Sequence, residues 1–282
     1  MIRHDIASDD GTKLAVFDAG PQTAPPILLI HGWSQHHLSW AHQLGSPLAQ
    51  QFRLIAPDLR GHGASDKPDT AEAYDHSKPW AADVASIIAA LQLDRPVLVG
   101  WSMVGWVVQD YLRYFGADTI TGVMLVGSSI TTGALAPADA QDRRSADPDV
   151  VAAGMYSDNQ AENLSATVAF VEACFAEPPK PHDLAYMVGF NMLVPPHIRA
   201  ACRKRDEDYR PLWASLDLPT SVVWGVRERL CVPPLMQELR QHIPSAQVLA
   251  YNNCGHAPFW EDPQRVNTDL ARFAMTCQQE AA

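Results

Sequence analysis

The chain has 282 residues, of which 47% are hydrophobic and 19% charged, and its 21 Lys and Arg against 32 Asp and Glu give a formal charge of −11. That length and balance suit an α/β domain with an insertion and a sizeable core, and exclude a long disordered or fibrous region. With no Lys/Arg-rich run to grip a phosphate backbone, nucleic acid is not an expected partner. No run of about 20 apolar residues offers a membrane span, and Met1 to Asp10 carries charges where a secretory peptide needs an apolar stretch, so no membrane association and a cytoplasmic location are expected. The five cysteines (Cys174, Cys202, Cys231, Cys254 and Cys277) are odd in number, widely spaced and free of CxxC pairs, which argues against a disulfide framework and a zinc site.

Short apolar β-rich runs alternate with longer amphipathic stretches, the pattern of a sheet whose parallel strands are joined by helices. In chain order, strands are predicted at Lys13 to Phe17, Ile27 to Ile30 and Arg53 to Ala56. A helix follows from Trp80 to Leu91, with Val84, Ile87, Ile88 and Leu91 on one face. Then come a strand at Val97 to Val99, a helix at Met103 to Phe115 and a strand at Gly122 to Val126. The next about 90 residues carry helical patterns and no strand, and a structureless loop of that length does not fit a compact domain. Helices are expected there at Ala161 to Phe175, His182 to Leu193 and Pro196 to Arg205, set off by Pro178-Pro179 and Pro195-Pro196. The alternation resumes with a strand at Ser221 to Trp224, a helix at Pro234 to His242, a strand at Gln247 to Ala250 and a helix at Pro263 to Met275. The expected organisation is a core of residues 1–129 and 216–282 with a helical cap of residues 130–215.

Three segments could carry chemistry. In Val97-Leu-Val-Gly-Trp-Ser-Met-Val-Gly-Trp106 an apolar strand runs into a helix through a small turn, which would expose the Ser102 hydroxyl above the sheet with a helix N-terminus behind it. The competing reading is a serine that merely caps the helix. In Ile27-Leu-Leu-Ile-His-Gly-Trp33, Gly32 lets the backbone turn so that the Trp33 N–H, together with that of Met103, could form a two-donor oxyanion hole, with His31 bracing the loop. In Asn252-Asn-Cys-Gly-His256, an imidazole on a Gly-preceded loop after the last strand could reach across to a serine and take its proton. Eleven histidines are present, so His256 stands out by its position alone.

The order Ser102, an acid, His256, with His31-Gly32-Trp33 and Asp58-Leu-Arg-Gly-His-Gly-Ala-Ser65 between, resembles the α/β-hydrolase superfamily. The Gly-Trp-Ser-Met run and the Trp224-Gly225 ending of a late strand are similar to its esterase, lactonase and non-haem haloperoxidase branch. The resemblance spans nearly the whole chain and is weakest in the helical insertion. It implies an α/β-hydrolase fold with a mostly parallel eight-stranded sheet, helices on both faces and an inserted cap, and a Ser–His–acid triad needing no cofactor or metal.

Two residues depart from the superfamily pattern. Val104 stands where Gly-x-Ser-x-Gly has its second glycine, and a β-branched side chain there is expected to crowd the turn by roughly 1–3 kcal/mol. The acid after the seventh strand is Glu228 where the family places Asp, and its neighbours Arg227 and Arg229 support a competing reading as a solvated surface cluster. The alternative acid site at the end of the sixth strand offers only Gly127-Ser128-Ser129. Asp58 and Arg60 are expected to fix the loop below the site.

The leading expectation is hydrolysis of a small carboxylic ester or lactone by Ser102, His256 and Glu228, with Trp33 and Met103 as the oxyanion hole. Trp101, Gln35 and His37 are expected to line a pocket for a small apolar or aromatic substrate. A second reading rests on Gly32-Trp-Ser-Gln-His-His37, which is similar to a run in cofactor-free 3-hydroxy-4-quinolone dioxygenases of the same superfamily. A third is a non-catalytic small-molecule binding protein whose turn Val104 has compromised.

Overall fold

A computed structural model describes residues 1–280. Eight strands form one sheet: β1 (Ile2–Ala7), β2 (Lys13–Ala19), β3 (Pro26–Ile30), β4 (Arg53–Pro57), β5 (Val97–Trp101), β6 (Gly122–Val126), β7 (Thr220–Gly225) and β8 (Gln247–Tyr251). Their order across the sheet is β1-β2-β4-β3-β5-β6-β7-β8. β2 pairs antiparallel with β1 and β4, and every other pairing is parallel. Every residue of β3, β4, β5 and β6 is buried. Apart from Arg53 at the start of β4, their apolar runs are what interior strands require, because both faces are covered.

All seven predicted strands lie in this sheet. The eighth, β1, was not foreseen because Ile2-Arg-His-Asp-Ile-Ala is polar at alternate and adjacent positions. Only Ile6 of it is buried, and it occupies a sheet edge, where charged side chains discourage pairing with another chain. The predicted core helices appear as Ser77–Ala90, Val104–Phe115, Pro233–His242 and Pro263–Glu280. No described helix is long and apolar enough to cross a membrane.

The strand order reverses between β3 and β5, so the loops leaving their carboxyl ends diverge and open a crevice there. Over that end lies the segment between β6 and β7, which contains the helices Ala138–Ser145, Gln160–Ala173, Pro181–Asn191 and Pro196–Cys202 and no named strand. Buried polar anchors tie it down. The Arg199 guanidinium donates to Asn163 Oδ1 at 2.7 Å, Asn191 O at 2.6 Å and Met155 O at 3.2 Å, joining three stretches of the segment. The Arg199 carbonyl in turn accepts from Trp33 Nε1 at 3.0 Å, linking the segment to the loop after β3.

A second anchor reaches the helix that follows Ser102. Arg205 Nη2 donates to both oxygens of Asp110 at 2.8 Å, and the Tyr209 hydroxyl donates to the same carboxylate at 2.6 Å. The side chains of Arg205 and Asp110 are fully buried, so removing Asp110 leaves the Arg205 charge with only the more exposed Glu207 carboxylate, 3.1 Å away. Asp110→Ala is expected to cost about 3–5 kcal/mol. Urea unfolding checks this, and a loss below about 1 kcal/mol would show that the pair is not an anchor.

Candidate active site

Five loops at the carboxyl ends of the strands meet at the crevice. β5 ends at Trp101 and the next helix begins at Val104, which leaves Ser102 and Met103 to make the turn. Ser102 adopts φ +59°, a left-handed conformation that costs an ordinary residue on the order of 1–3 kcal/mol and is kept only where its surroundings enforce it. The enforcement is visible. The Ser102 N–H donates to Val126 O at the end of β6 at 2.8 Å, and its carbonyl accepts from Gly105 N at 3.0 Å.

Val104 is fully buried in the main core. The close approach that demands a glycine falls one residue later, where a Cβ on Gly105 would lie 1.9 Å from Ser128 Oγ. The turn is therefore built with a valine at 104 and the glycine displaced to 105.

His256 sits on the loop after β8 and is held at both ends of its own peptide. Its N–H donates to Cys174 O at 2.9 Å and its carbonyl accepts from Trp101 Nε1 at 2.7 Å. Its Nδ1 lies 2.8 Å from Glu228 Oε2, and both side chains are almost wholly buried. Glu228 Oε1 accepts from the N–H groups of Leu230 at 2.8 Å and Cys231 at 2.9 Å. Arg227 and Arg229 turn away, to Glu177 at 2.6 Å and to Asp147 and Asp149 at 2.7 and 2.9 Å. Flanked by surface ion pairs, Glu228 itself points inward.

A carboxylate can only accept, so Nδ1 carries the imidazole proton and Nε2 presents a lone pair. That Nε2 is buried and has no hydrogen-bond partner among the described residues. Gly127, at the end of β6, makes room for the contact: with φ +52°, a Cβ there would lie 2.8 Å from His256 Nδ1 and 3.1 Å from Glu228 Oε2. The sixth strand thus supplies space where it supplies no acid.

Ser102 and His256 line one cleft with Trp33, Met103 and Phe170. Among the described residues the N–H groups of Trp33 and Met103 have no acceptor, so both remain available to an oxygen in the cleft. Trp101 and Gln35 instead line a small neighbouring cavity, walled by Phe175, Met187, Phe190 and Trp260.

His37 lines neither space. Its ring stacks on Phe17 with centroids 3.5 Å apart, and its N–H and Nδ1 both donate to Asp58 Oδ1, at 2.9 and 2.8 Å. The expectation that His37 contacts substrate gives way because the buried Asp58 carboxylate collects the nearest donors. The other Asp58 oxygen accepts from Ala64 N at 2.9 Å. Burial alone would push the Asp58 carboxyl up, but the hydrogen bond from His37 and the surrounding imidazoles hold it well below the usual carboxylate range. His36, His37 and Asp58 are residue types that can ligate a metal, yet the carboxylate oxygens here are already engaged by these donors.

His31 braces the loop after β3. Its Nδ1 donates to Gly32 O at 2.8 Å and its Nε2 accepts from Leu59 N at 3.0 Å. His62 does the same for the next turn, between Arg60 O at 2.8 Å and Ser34 N at 3.1 Å. Arg60 lies further out, with its guanidinium on Asp83 at 2.6 Å and Asp10 at 2.9 Å.

A family model for the α/β hydrolase fold matches residues 25–263. The chain belongs to the α/β-hydrolase family. It is 28% identical over 274 residues to the AB hydrolase superfamily protein YisY of Bacillus subtilis, covering 96% of this chain and 98% of that protein. It is 32% identical over 123 residues, 44% of each chain, to the bifunctional esterase/perhydrolase DCH of Acinetobacter calcoaceticus. The crystal structure of esterase RhEst1 from Rhodococcus sp. superposes with a TM-score of 0.88 at 31% identity, covering 98% of this chain and all of that one. This chain is a hydrolase of that fold.

The sequence did not single out Arg144, Arg203, Leu230 or Cys231, which also line the cleft. No periodicity separates a cap side chain that faces the cleft from one that faces a neighbouring helix.

Burial governs the bracing histidines. It holds His31 well below its ordinary range and pulls His36 and His62 down to about 4. Each native-state value lies below the unfolded value near 6.5, so as pH falls from about 6.5 to about 4 the unfolded chain takes up protons that the native state refuses, and stability falls by up to about 1.4 kcal/mol per imidazole per pH unit. Asp110 and Glu261, whose carboxyls burial raises, oppose part of this. Denaturation midpoints measured from pH 7 to pH 5 should fall less steeply in His62→Asn than in the wild type. Equal slopes would contradict the assignment of His62 as buried and neutral.

Proposed function

We propose that the chain hydrolyses a small carboxylic ester or lactone through an acyl-enzyme on Ser102. The observation that carries this is the His256 side chain, which lines the cleft with Ser102 and whose Nδ1 is tied to Glu228 at 2.8 Å while its buried Nε2 has no partner among the described residues. The esterases among the similar proteins support the substrate class.

In this reading Ser102 Oγ attacks the carbonyl carbon and passes its proton to His256 Nε2. The oxygen that gains the negative charge is received by the N–H groups of Trp33 and Met103, a stabilisation of about 3–4 kcal/mol per well-placed donor. Collapse of the tetrahedral adduct expels the alcohol, which takes the proton from Nε2. Water then repeats the attack with His256 as base and releases the acid. Glu228 holds the tautomer and stabilises the imidazolium formed in between. Ser102 and His256 are not hydrogen-bonded in the ligand-free geometry, and such contacts commonly close only when substrate binds. The helical segment of residues 130–215 acts as the cap that shapes the cleft.

Neither competing reading gains an observation in its favour. His37 is sealed against Phe17 and Asp58, so of the Gly-Trp to His37 run only Trp33 and Gln35 face the cleft and its neighbouring cavity, and the histidine contributes to neither. The turn at Ser102 is intact despite Val104, which removes the reason for a purely binding role.

Short p-nitrophenyl esters should be turned over by the wild type. Ser102→Ala should lower kcat by at least about 10³-fold and Glu228→Gln by roughly 10²- to 10⁴-fold, with little change in KM. Undiminished turnover in Ser102→Ala would overturn the proposal.

A further inference from the structure

Two arginines of the helical segment line the same cleft as Ser102 and His256: Arg144, near the end of the helix Ala138–Ser145, and Arg203, just past the helix Pro196–Cys202. Neither forms an ion pair or a side-chain hydrogen bond among the described residues, and Arg144 Nε is buried without a partner. Of the other buried guanidiniums, Arg53 meets Asp18, Arg60 meets Asp83 and Arg205 meets Asp110, while Arg199, which has no carboxylate, is held by Asn163 Oδ1 and the carbonyls of Met155 and Asn191. The Arg144 and Arg203 guanidiniums have neither kind of partner among the described residues.

The carboxylate that might have served them is occupied. Glu228 spends its oxygens on His256 and on two backbone N–H groups. Burial, and then the like charge of Arg203, pulls the Arg144 guanidinium down to about 10, although the charge of nearby Glu228 acts in the opposite direction. Arg203 is held at the wall by Trp33, its guanidinium carbon lying 4.9 Å from the indole centroid. Trp33 also carries one of the two free N–H groups of the oxyanion site. Two partly buried, like-charged, unpaired groups aimed into one space are costly in the empty protein, and the cost is relieved when an anion bridges them.

We infer that Arg144 and Arg203 form an anion subsite of the cleft, which selects esters carrying a carboxylate, such as half-esters of dicarboxylic acids. The inference rests on the hydrolase reading for the word ester, while the anion site stands on the arginines alone. A planar carboxylate suits two guanidinium forks, because each presents parallel N–H donors to its two oxygens. Phe170 and Leu230 of the same cleft would take the apolar body of such a substrate. On a chain of formal charge −11 the attraction is local, so it discriminates between bound substrates and does not steer them from afar.

The test compares monoethyl glutarate with ethyl pentanoate, an acidic and a neutral ester of equal acyl length, using the full chain and following acid release. The quantity read is the ratio of kcat/KM for the acidic ester to that for the neutral one. In Arg144→Met and in Arg203→Met this ratio should fall at least tenfold through the KM of the acidic ester, and Arg203→Lys should keep part of it. A ratio that neither methionine variant moves overturns the inference, whatever the absolute rates. Glutarate itself, titrated calorimetrically into Ser102→Ala protein, reads the subsite without turnover and should bind at least tenfold more weakly once Arg203→Met is added. If glutarate binds in this way while neither ester is cleaved, the subsite stands and the hydrolase reading falls. If both esters are cleaved with an arginine-independent ratio, the hydrolase reading stands and the subsite falls.

Discussion

Burying a carboxylate costs several kcal/mol unless donors meet it, and Glu228 is met by three: the N–H groups of Leu230 and Cys231 on one oxygen and His256 Nδ1 on the other. The rest of the site depends on that arrangement. Because the acceptor is fixed, the imidazole proton is fixed on Nδ1, and the lone pair is left on Nε2, which has no partner among the described residues and belongs to a side chain that lines the cleft. The surrounding structure protects the contact. Gly127 leaves space for it, and Cys174 and Trp101 clamp the His256 backbone from either side. The longer reach of a glutamate from the loop after β7 is taken up by the turn through Leu230 and Cys231, whose amides close over its oxygen.

The serine is positioned by a different kind of constraint. Ser102 is placed by backbone geometry, a left-handed turn pinned by the edge of β6 and followed at once by a helix. Strain in that turn is sustained by strand pairing and by the tight contact between Gly105 and Ser128. A valine at 104 is compatible with it because that side chain enters the core, while the contact with the Ser128 side chain that excludes a Cβ belongs to the next residue.

Residues placed by a strand end and a short loop were legible in the sequence, which is why Ser102, His256, Glu228, Trp33 and Met103 could be named and why the structure brings them to one crevice. Side chains whose direction depends on long-range packing were not. His37 lies a few residues from Trp33 yet turns into the core, because Asp58 draws it there across more than twenty positions of sequence. Gln35 and Trp101 face a separate apolar cavity. β1 escaped detection because an edge strand need not be apolar, and Arg144 and Arg203 escaped because one sequence gives no sign of which cap residues meet the cleft. In physical terms, local backbone signals fix the groups proposed to react, and tertiary packing fixes what surrounds them.

The central claim is that the Ser102 hydroxyl is the group that bonds covalently to substrate. It is tested most directly by treating the protein with a fluorophosphonate and locating the adduct by peptide mass spectrometry. The account predicts a single modification on Ser102, absent from Ser102→Ala protein and slowed when Glu228 is replaced by Gln. An adduct on another residue, or ester turnover by a protein that takes up no label at Ser102, would contradict it.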